Sequence, residues 1–354
     1  MARPPRRTPA AAEPILHRAA RIEDRYHAFR EERARKRGLT PTVIPYAGYG
    51  GDGWIRVLCR VLLAAPAAPE EPEAARTRNI RGWRSFTSVP VDDITVTVIA
   101  GGREFRLTAN RGGVVDARIE VDLPSGWNEI QLRTDESATV TAPIFVVDAS
   151  VRFGLLSDID DTVMVTALPR PFLAAWNTFV LNEHARTPVA GMSVLYERIT
   201  RSHPGVPVIY LSTGAWNVAP TLTRFLSRNL YPAGALLLTD WGPTHDRIFR
   251  SGSLHKQENL RRLADEFPDI KWVLVGDDGQ HDEELYGEFV REHEGNVAAV
   301  CIRQLSPGEA VLAGGRTSTD GQGEKADVPW FYASDGAGLS AHLESIDILP
   351  EHRE

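Results

Sequence analysis

Between residues 94 and 141 apolar and polar positions alternate in short runs: Ile94 to Ile99, Glu104 to Thr108, Ala117 to Val121, Glu129 to Arg133 and Ala138 to Thr141. Glycine pairs at Gly101-Gly102 and Gly112-Gly113, and Pro124-Ser125-Gly126, separate them. A period of two with such punctuation predicts antiparallel strands joined by tight turns. The stretch from 40 to 150 therefore reads as a β-sandwich of the immunoglobulin-like kind. Residues 64–75, rich in Pro and Ala, read as a surface loop within it. The β-region gathers no titratable groups at a chemically suggestive spacing, so a structural or docking role is expected of it.

Beyond residue 150 the pattern changes. Apolar runs at Val151 to Leu156, Val206 to Leu211, Ala235 to Leu238, Trp272 to Val275 and Val297 to Ile302 alternate with helical patterns such as Leu260, Leu263, Ala264 and Phe267. This alternation predicts an α/β fold, a doubly wound parallel sheet with helices on both faces. Ligands of such sheets bind beyond the carboxyl ends of the strands, so the residues closing each run are the candidates for chemistry.

Near the amino end Ile15, Ala19, Ile22, Tyr26 and Phe29 recur at helical spacing, with Arg18, Arg21, Arg25 and Arg30 around them. Two readings of this basic amphipathic helix stand: its apolar face docks on the next domain, or it lies on an anionic membrane surface. Residues 1–37 hold 11 Arg and Lys against 5 Asp and Glu, within a chain of net charge -7. The remainder is thus acidic, which argues against nucleic acid as a partner. No run approaches the length of a membrane-spanning helix and the start lacks a secretory apolar run, so a cytoplasmic protein, peripheral at a membrane at most, is expected. Cys59 and Cys301 each sit in an apolar run and read as core residues, not as a disulfide or a zinc site. The expected organisation is a tail and helix at 1–39, the β-sandwich at 40–150, the α/β domain at 151–305 and an extension at 306–354.

The first α/β run enters Ser157-Asp158-Ile159-Asp160-Asp161-Thr162, three carboxylates within four residues. Such crowding is costly unless a cation sits among them. The second run ends in Ser212-Thr213-Gly214, hydroxyls and a Gly at a strand-to-helix turn suited to an anion. The fourth ends in Gly276-Asp277-Asp278-Gly279-Gln280-His281-Asp282, further hard oxygen ligands of the kind Mg2+ prefers. Ahead of it, Lys256 is placed at the start of a helix.

In order and context these elements resemble the motifs of the haloacid-dehalogenase superfamily of aspartate-nucleophile phosphatases. Asp158-x-Asp160-x-Thr162 is similar to the first motif, Ser212 to the second, Lys256 to the third, and Asp277 with Asp282 to the fourth. A narrower resemblance spans residues 150–305, where DIDDT, VIYLSTGAWN, LLLTDWG, RSGSLHKQENL, FPDIKWVLVGDDGQHDEELY and VCIRQL are similar to the catalytic domain of the actin-patch-type Mg2+-dependent phosphatidate phosphatases, distant relatives of the lipins. Gly214-Ala215 stand where Ser-Pro is expected and Asp278 where Ser is expected, departures that bear on substrate fit. In lipins an immunoglobulin-like domain accompanies the phosphatase domain.

The resemblance implies a haloacid-dehalogenase-like, Rossmannoid sheet. The 54 positions from Asp158 to Ser212 and the 44 from Ser212 to Lys256 leave no room for a large cap, so the site is expected to be open to bulky substrates. The insert with Leu168, Pro169, Pro171, Phe172, Leu173, Trp176 and Phe179 forms an apolar ridge, for lipid contact or for core packing. The resemblance further implies Asp158 as nucleophile and Asp160 as acid and base. Mg2+ would be held by Asp158, the Asp160 carbonyl and Asp277, and the phosphoryl group by Ser212, Thr213, Gly214 and Lys256. Thr162, Asp278 and Asp282 would support these groups, Asp282 by orienting Lys256 or binding metal through water. Asp161 is expected to be a solvent-facing turn residue. The activity implied is hydrolysis of phosphatidate to diacylglycerol and phosphate; the alternatives are a soluble or protein phosphomonoester as substrate, or a noncatalytic module that binds anionic lipid.

Overall fold

The computed structural model describes residues 29–65, 89–165, 187–239, 245–279, 281–312 and 327–351. Residues 15–28 of the basic helix, most of the Pro-rich loop and the apolar ridge at 168–179 lie outside the described residues. Residues 29–36 are helical. Ala34 is buried in the neighbouring β-core, and Arg35 pairs with Glu136 at 3.0 Å, so this end of the helix docks on the β-domain. Phe29, the last residue of the apolar face read from the sequence, is 57% exposed.

The β-domain comprises β1 (Thr40–Pro45), β2 (Gly48–Gly51), β3 (Trp54–Ala64), β4 (Val89–Pro90), β5 (Thr95–Ala100), β6 (Arg103–Thr108), β7 (Val114–Glu120), β8 (Gly126–Arg133) and β9 (Val140–Val146). All nine belong to one hydrogen-bonded network, antiparallel except where β2 runs parallel to β9. The long strand β3 organises it, pairing with β1, β2, β4 and β7. Its sequence, WIRVLCRVLLA, does not alternate because both of its faces are covered. Ile55, Val57, Cys59, Val61 and Leu63 enter the core of the β-domain itself, whereas Trp54, Leu58 and Leu62 join the core of the α/β domain.

The α/β domain runs through β10 (Phe153–Asp158), β11 (Met164–Val165), β12 (Thr187–Pro188), α1 (Met192–Ser202), β13 (Val208–Ala215), α2 (Ala219–Arg228), β14 (Ala235–Thr239), α3 (His245–Glu266), β15 (Lys271–Asp277), α4 (Asp282–Glu292), β16 (Val297–Arg303), α5 (Pro307–Leu312), β17 (Trp330–Ala333) and α6 (Gly336–Glu344). Six strands form a parallel sheet in the order β14-β13-β10-β15-β16-β17, and β11 with β12 makes a separate small hairpin. Consecutive residues of β10, β13, β15 and β16 are buried almost without break, so both faces of the sheet are covered. Chain order reverses direction between β10 and β15, and that crevice is where such sheets bind ligands. The segment 306–354, set apart by its pattern as an extension, supplies the edge strand β17, paired with β16, and helix α6.

One face of the β-domain packs into the apolar core of the α/β domain, and a charged seam joins the two. Tyr46 stacks on Trp216 at 4.9 Å and donates its hydroxyl to the Trp216 carbonyl at 3.3 Å. Arg56 bonds Glu266 and, at 2.6 Å, Asp116; Tyr49 donates to Glu266 at 2.8 Å, and Arg262 reaches Asp116 at 2.8 Å. The carboxyl half of α3 is thereby tied to the β-domain. Cys59 and Cys301 are buried and unbridged, 

as core residues should be.

Candidate active site

The site is assembled where β10 and β15 end. Asp158 closes β10 and Asp277 closes β15, two neighbouring parallel strands, while Asp282 opens α4 just beyond. One carboxylate oxygen from each of Asp158, Asp277 and Asp282 lies within 4.8 Å of the others, and all three residues are buried. A close approach of α4 to β15 makes this possible. A Cβ at position 276 would come within 2.8 Å of an Asp282 carboxylate oxygen, so Gly276 is required there.

Lys256 enters this cluster from the middle of α3, not from its start as the sequence pattern placed it. Its ammonium donates to Asp158 Oδ1 at 2.7 Å and to Asp282 Oδ1 at 2.6 Å, and the residue is 2% exposed. One turn earlier Gly252 lets α3 approach β13, since a Cβ there would lie 3.0 Å from Thr213. Asp158 Oδ2 is buried and accepts no hydrogen bond among the described residues.

Asp160 is held from the next strand, with Ser212 Oγ donating to its Oδ2 at 2.9 Å. The Gly214 amide donates back to Ser212 Oγ at 3.0 Å, which fixes the hydroxyl. Ser212, Thr213 and Gly214 do not form a strand-to-helix turn. β13 continues to Ala215 through an irregular register after Leu211, and Thr239 Oγ1 braces it by donating to the carbonyls of Thr213 and Gly214 at 3.0 and 3.2 Å.

Asp161 differs from expectation. It is 5% exposed, not solvent-facing, and has φ of 57°, a left-handed conformation that costs a side-chain-bearing residue steric energy. The turn is tight because the amides of Val163 and Met164 both reach the Ile159 carbonyl, at 3.0 and 3.1 Å. Thr162 is fully buried in it. Asp278 lies beside the cluster and accepts from the Leu305 amide at 2.8 Å, fixing the chain after β16.

Residues 153–304 match the family model described as the catalytic domain of phosphatidate phosphatase APP1. The chain is 25% identical over 154 residues to phosphatidate phosphatase APP1 of Saccharomyces cerevisiae, an alignment covering 43% of this chain and 26% of that protein. Residues 153–304 are therefore similar to an APP1-type catalytic domain. An uncharacterized protein of Schizosaccharomyces pombe is also 25% identical, over 49% of this chain and 29% of its own length. The chain thus spans under a third of each of these relatives. A carbohydrate acetylesterase from Xanthomonas citri superposes over 77% of this chain and 73% of its own at 11% identity and a TM-score of 0.27, a likeness too low to carry any argument.

Within this segment the donor set fits a hard divalent cation. Burial pushes the Asp158 and Asp277 carboxyls well above the usual range; Asp282 adds to this in both, and Lys256 opposes it. The Lys256 ammonium is held protonated by Asp158 and Asp282, which outweigh its burial. Three clustered carboxylates against one ammonium leave negative charge that a cation bound by oxygen would neutralise.

A pH signature follows. An acid whose folded pKa is raised stabilises the fold below its unfolded pKa, and that contribution is lost as pH rises through the folded value. Metal-free protein should therefore lose stability from Asp158 and Asp277 as pH rises from the ordinary carboxylate range towards neutrality. A divalent cation needs both groups deprotonated. The rise in melting temperature on adding Mg2+ should accordingly grow between about pH 5.5 and about pH 8. A rise that is constant or shrinks across this range would contradict the assignment.

The sequence pattern did not single out Arg303, Thr239, Tyr46 or Trp216. Tyr46 and Thr239 stand in ordinary strand context, and Arg303 follows an apolar run as any solvent-facing residue could. Trp216, in the segment just after Ser212, was the nearest to a legible signal.

Proposed function

We propose that this chain is a Mg2+-dependent phosphatidate phosphatase of haloacid-dehalogenase-like, doubly wound architecture, releasing phosphate and leaving diacylglycerol. The observation that carries the reading is Lys256 bridging Asp158 and Asp282 at the β10/β15 crevice, inside a segment matching the APP1 catalytic domain. The parallel sheet and its reversal between β10 and β15 support the architecture.

In this reading Lys256 orients the Asp158 carboxylate through Oδ1, and Asp158 attacks phosphorus to give an aspartyl-phosphate as the P–O bond to the glycerol breaks. Asp160, held by Ser212, delivers a proton to the departing alkoxide and then takes one from the water that cleaves the acyl phosphate. Lys256 and the segment from Ser212 to Gly214 face the phosphoryl oxygens. Asp158, Asp277 and the Asp160 carbonyl would hold Mg2+, which when bound supplies positive charge against the phosphate dianion. Asp282 serves through Lys256.

The basic amino-terminal segment gives charge for an anionic membrane. Among the described residues no helix is long and apolar enough to cross a membrane. The test is phosphate release from phosphatidate vesicles and from a panel of soluble phosphomonoesters, each with Mg2+ and with EDTA. Release from the vesicles that vanishes in EDTA and returns with Mg2+ is expected. Preference for a soluble ester would move the substrate assignment, and full activity in EDTA would remove the metal.

A further inference from the structure

The strongest charge near the site that this mechanism leaves unused is Arg303. It closes β16, the strand beyond β15, and is 5% exposed. Its Nη1 donates to the carbonyl of Asp161 at 2.6 Å, across a separation of 142 positions, and its Nη2 pairs with Glu309 at 2.7 Å on α5. Glu309 is itself fixed, accepting from the Ser306 amide at 2.8 Å.

The carbonyl that Arg303 holds belongs to the left-handed residue of the turn, directly between Asp160 and Thr162. A side-chain-bearing residue keeps that conformation only where its surroundings over-determine it. A second clamp acts two residues on, where the buried Tyr231 hydroxyl donates to the Val163 carbonyl at 3.0 Å. Placing a guanidinium in the interior costs desolvation, and a rigid fork that meets a carboxylate and a carbonyl at once is what arginine supplies and lysine does not. The Asp161 carbonyl belongs to the Asp161–Thr162 peptide, and the Asp161 amide is held in turn by the Met164 carbonyl at 2.8 Å, so both peptides flanking the left-handed residue are fixed. A change in the Asp161 backbone dihedrals would move Asp160 relative to the rest of the turn and carry its carboxylate away from Ser212.

We propose that Arg303 is a positioning residue: by clamping the Asp161 carbonyl it sets Asp160 in place to protonate the leaving group. The proposal rests on the phosphatase reading above and adds to it a specific dependence on the leaving group. An alkoxide needs the proton that Asp160 delivers, whereas a nitrophenolate departs without it.

The experiment compares kcat and KM of the full chain with Mg2+ on dioctanoyl phosphatidate and on p-nitrophenyl phosphate. Arg303→Met should lower kcat on the phosphatidate by about a hundredfold, the lower end of what a positioned general acid contributes, with KM unchanged. On the nitrophenyl ester the first-turnover burst of nitrophenolate, which precedes the water step that Asp160 also serves, should slow at most about threefold, since little acid catalysis is there to lose. Arg303→Lys, which keeps the cation but not the fork, should recover part of the phosphatidate rate. If Arg303→Met does not fold, Arg303→Lys carries the comparison, and its smaller loss should show the same split. Equal losses on the two esters, or a change confined to KM, would overturn the positioning role while leaving the phosphatase reading intact. A wild-type chain inactive on both esters would overturn both.

Discussion

Asp158→Asn should lose at least about 1,000-fold in phosphate release, as expected for removal of a nucleophile that acts as one unit with its partners. An amide is a poor nucleophile, and it is a weaker ligand for a hard cation. The fold should survive. Asp158 is buried with its pKa raised by burial and by the acids around it, so a neutral isostere removes like-charge repulsion with Asp282 and Asp160 while it also removes one of the two partners of Lys256. The check is a phosphate-release assay beside a thermal melt of the same preparation. Activity above a few per cent of wild type in a folded variant would contradict the role of Asp158.

Lys256→Met should damage both stability and turnover. The ammonium is the shared donor to Asp158 and Asp282 in a fully desolvated position, and its removal leaves those carboxylates facing one another with Asp277 close by. Breaking a buried ion pair from one side costs about 3–5 kcal/mol, a loss a denaturant titration of the metal-free protein would register. Turnover should fall by at least about a hundredfold, the scale seen when one preorganised donor to a transition-state oxyanion is removed. Because the defect is uncompensated negative charge, Mg2+ should restore more stability to this variant than it adds to wild type. A variant with wild-type stability in EDTA would mean that the three acids are not charged together, and the electrostatic account of the site would fail.

The strand ends were legible because chemistry there overrides economy. Three carboxylates crowded after an apolar run point to a cation, and the first of them, Asp158, does converge with Asp277 and Asp282. The alternating strands of the β-domain were legible for a simpler reason, that β6 to β9 each have exposed positions over part of their length. β3 hid its role because both of its faces are buried, one in its own domain and one against the α/β domain, and continuous burial erases the period. The same loss of contrast concealed Arg303, whose partner lies 142 positions away. Local pattern also misled at Asp161. An acid in a turn is ordinarily solvated, but here the turn is folded under the site and its carbonyl is spoken for. At Lys256 the helix extends further towards its amino end than the apolar spacing suggested, because its first turns carry few apolar residues to mark them.

The central claim is a covalent intermediate on one carboxylate. Acid-quenching the Mg2+-loaded enzyme during turnover of phosphatidate radiolabelled in its phosphate, then mapping the labelled peptide, reads it directly. The account predicts a base-labile acyl phosphate on Asp158 that does not form in Asp158→Asn. Label on any other residue, or turnover at full rate with no labelled protein, would contradict it.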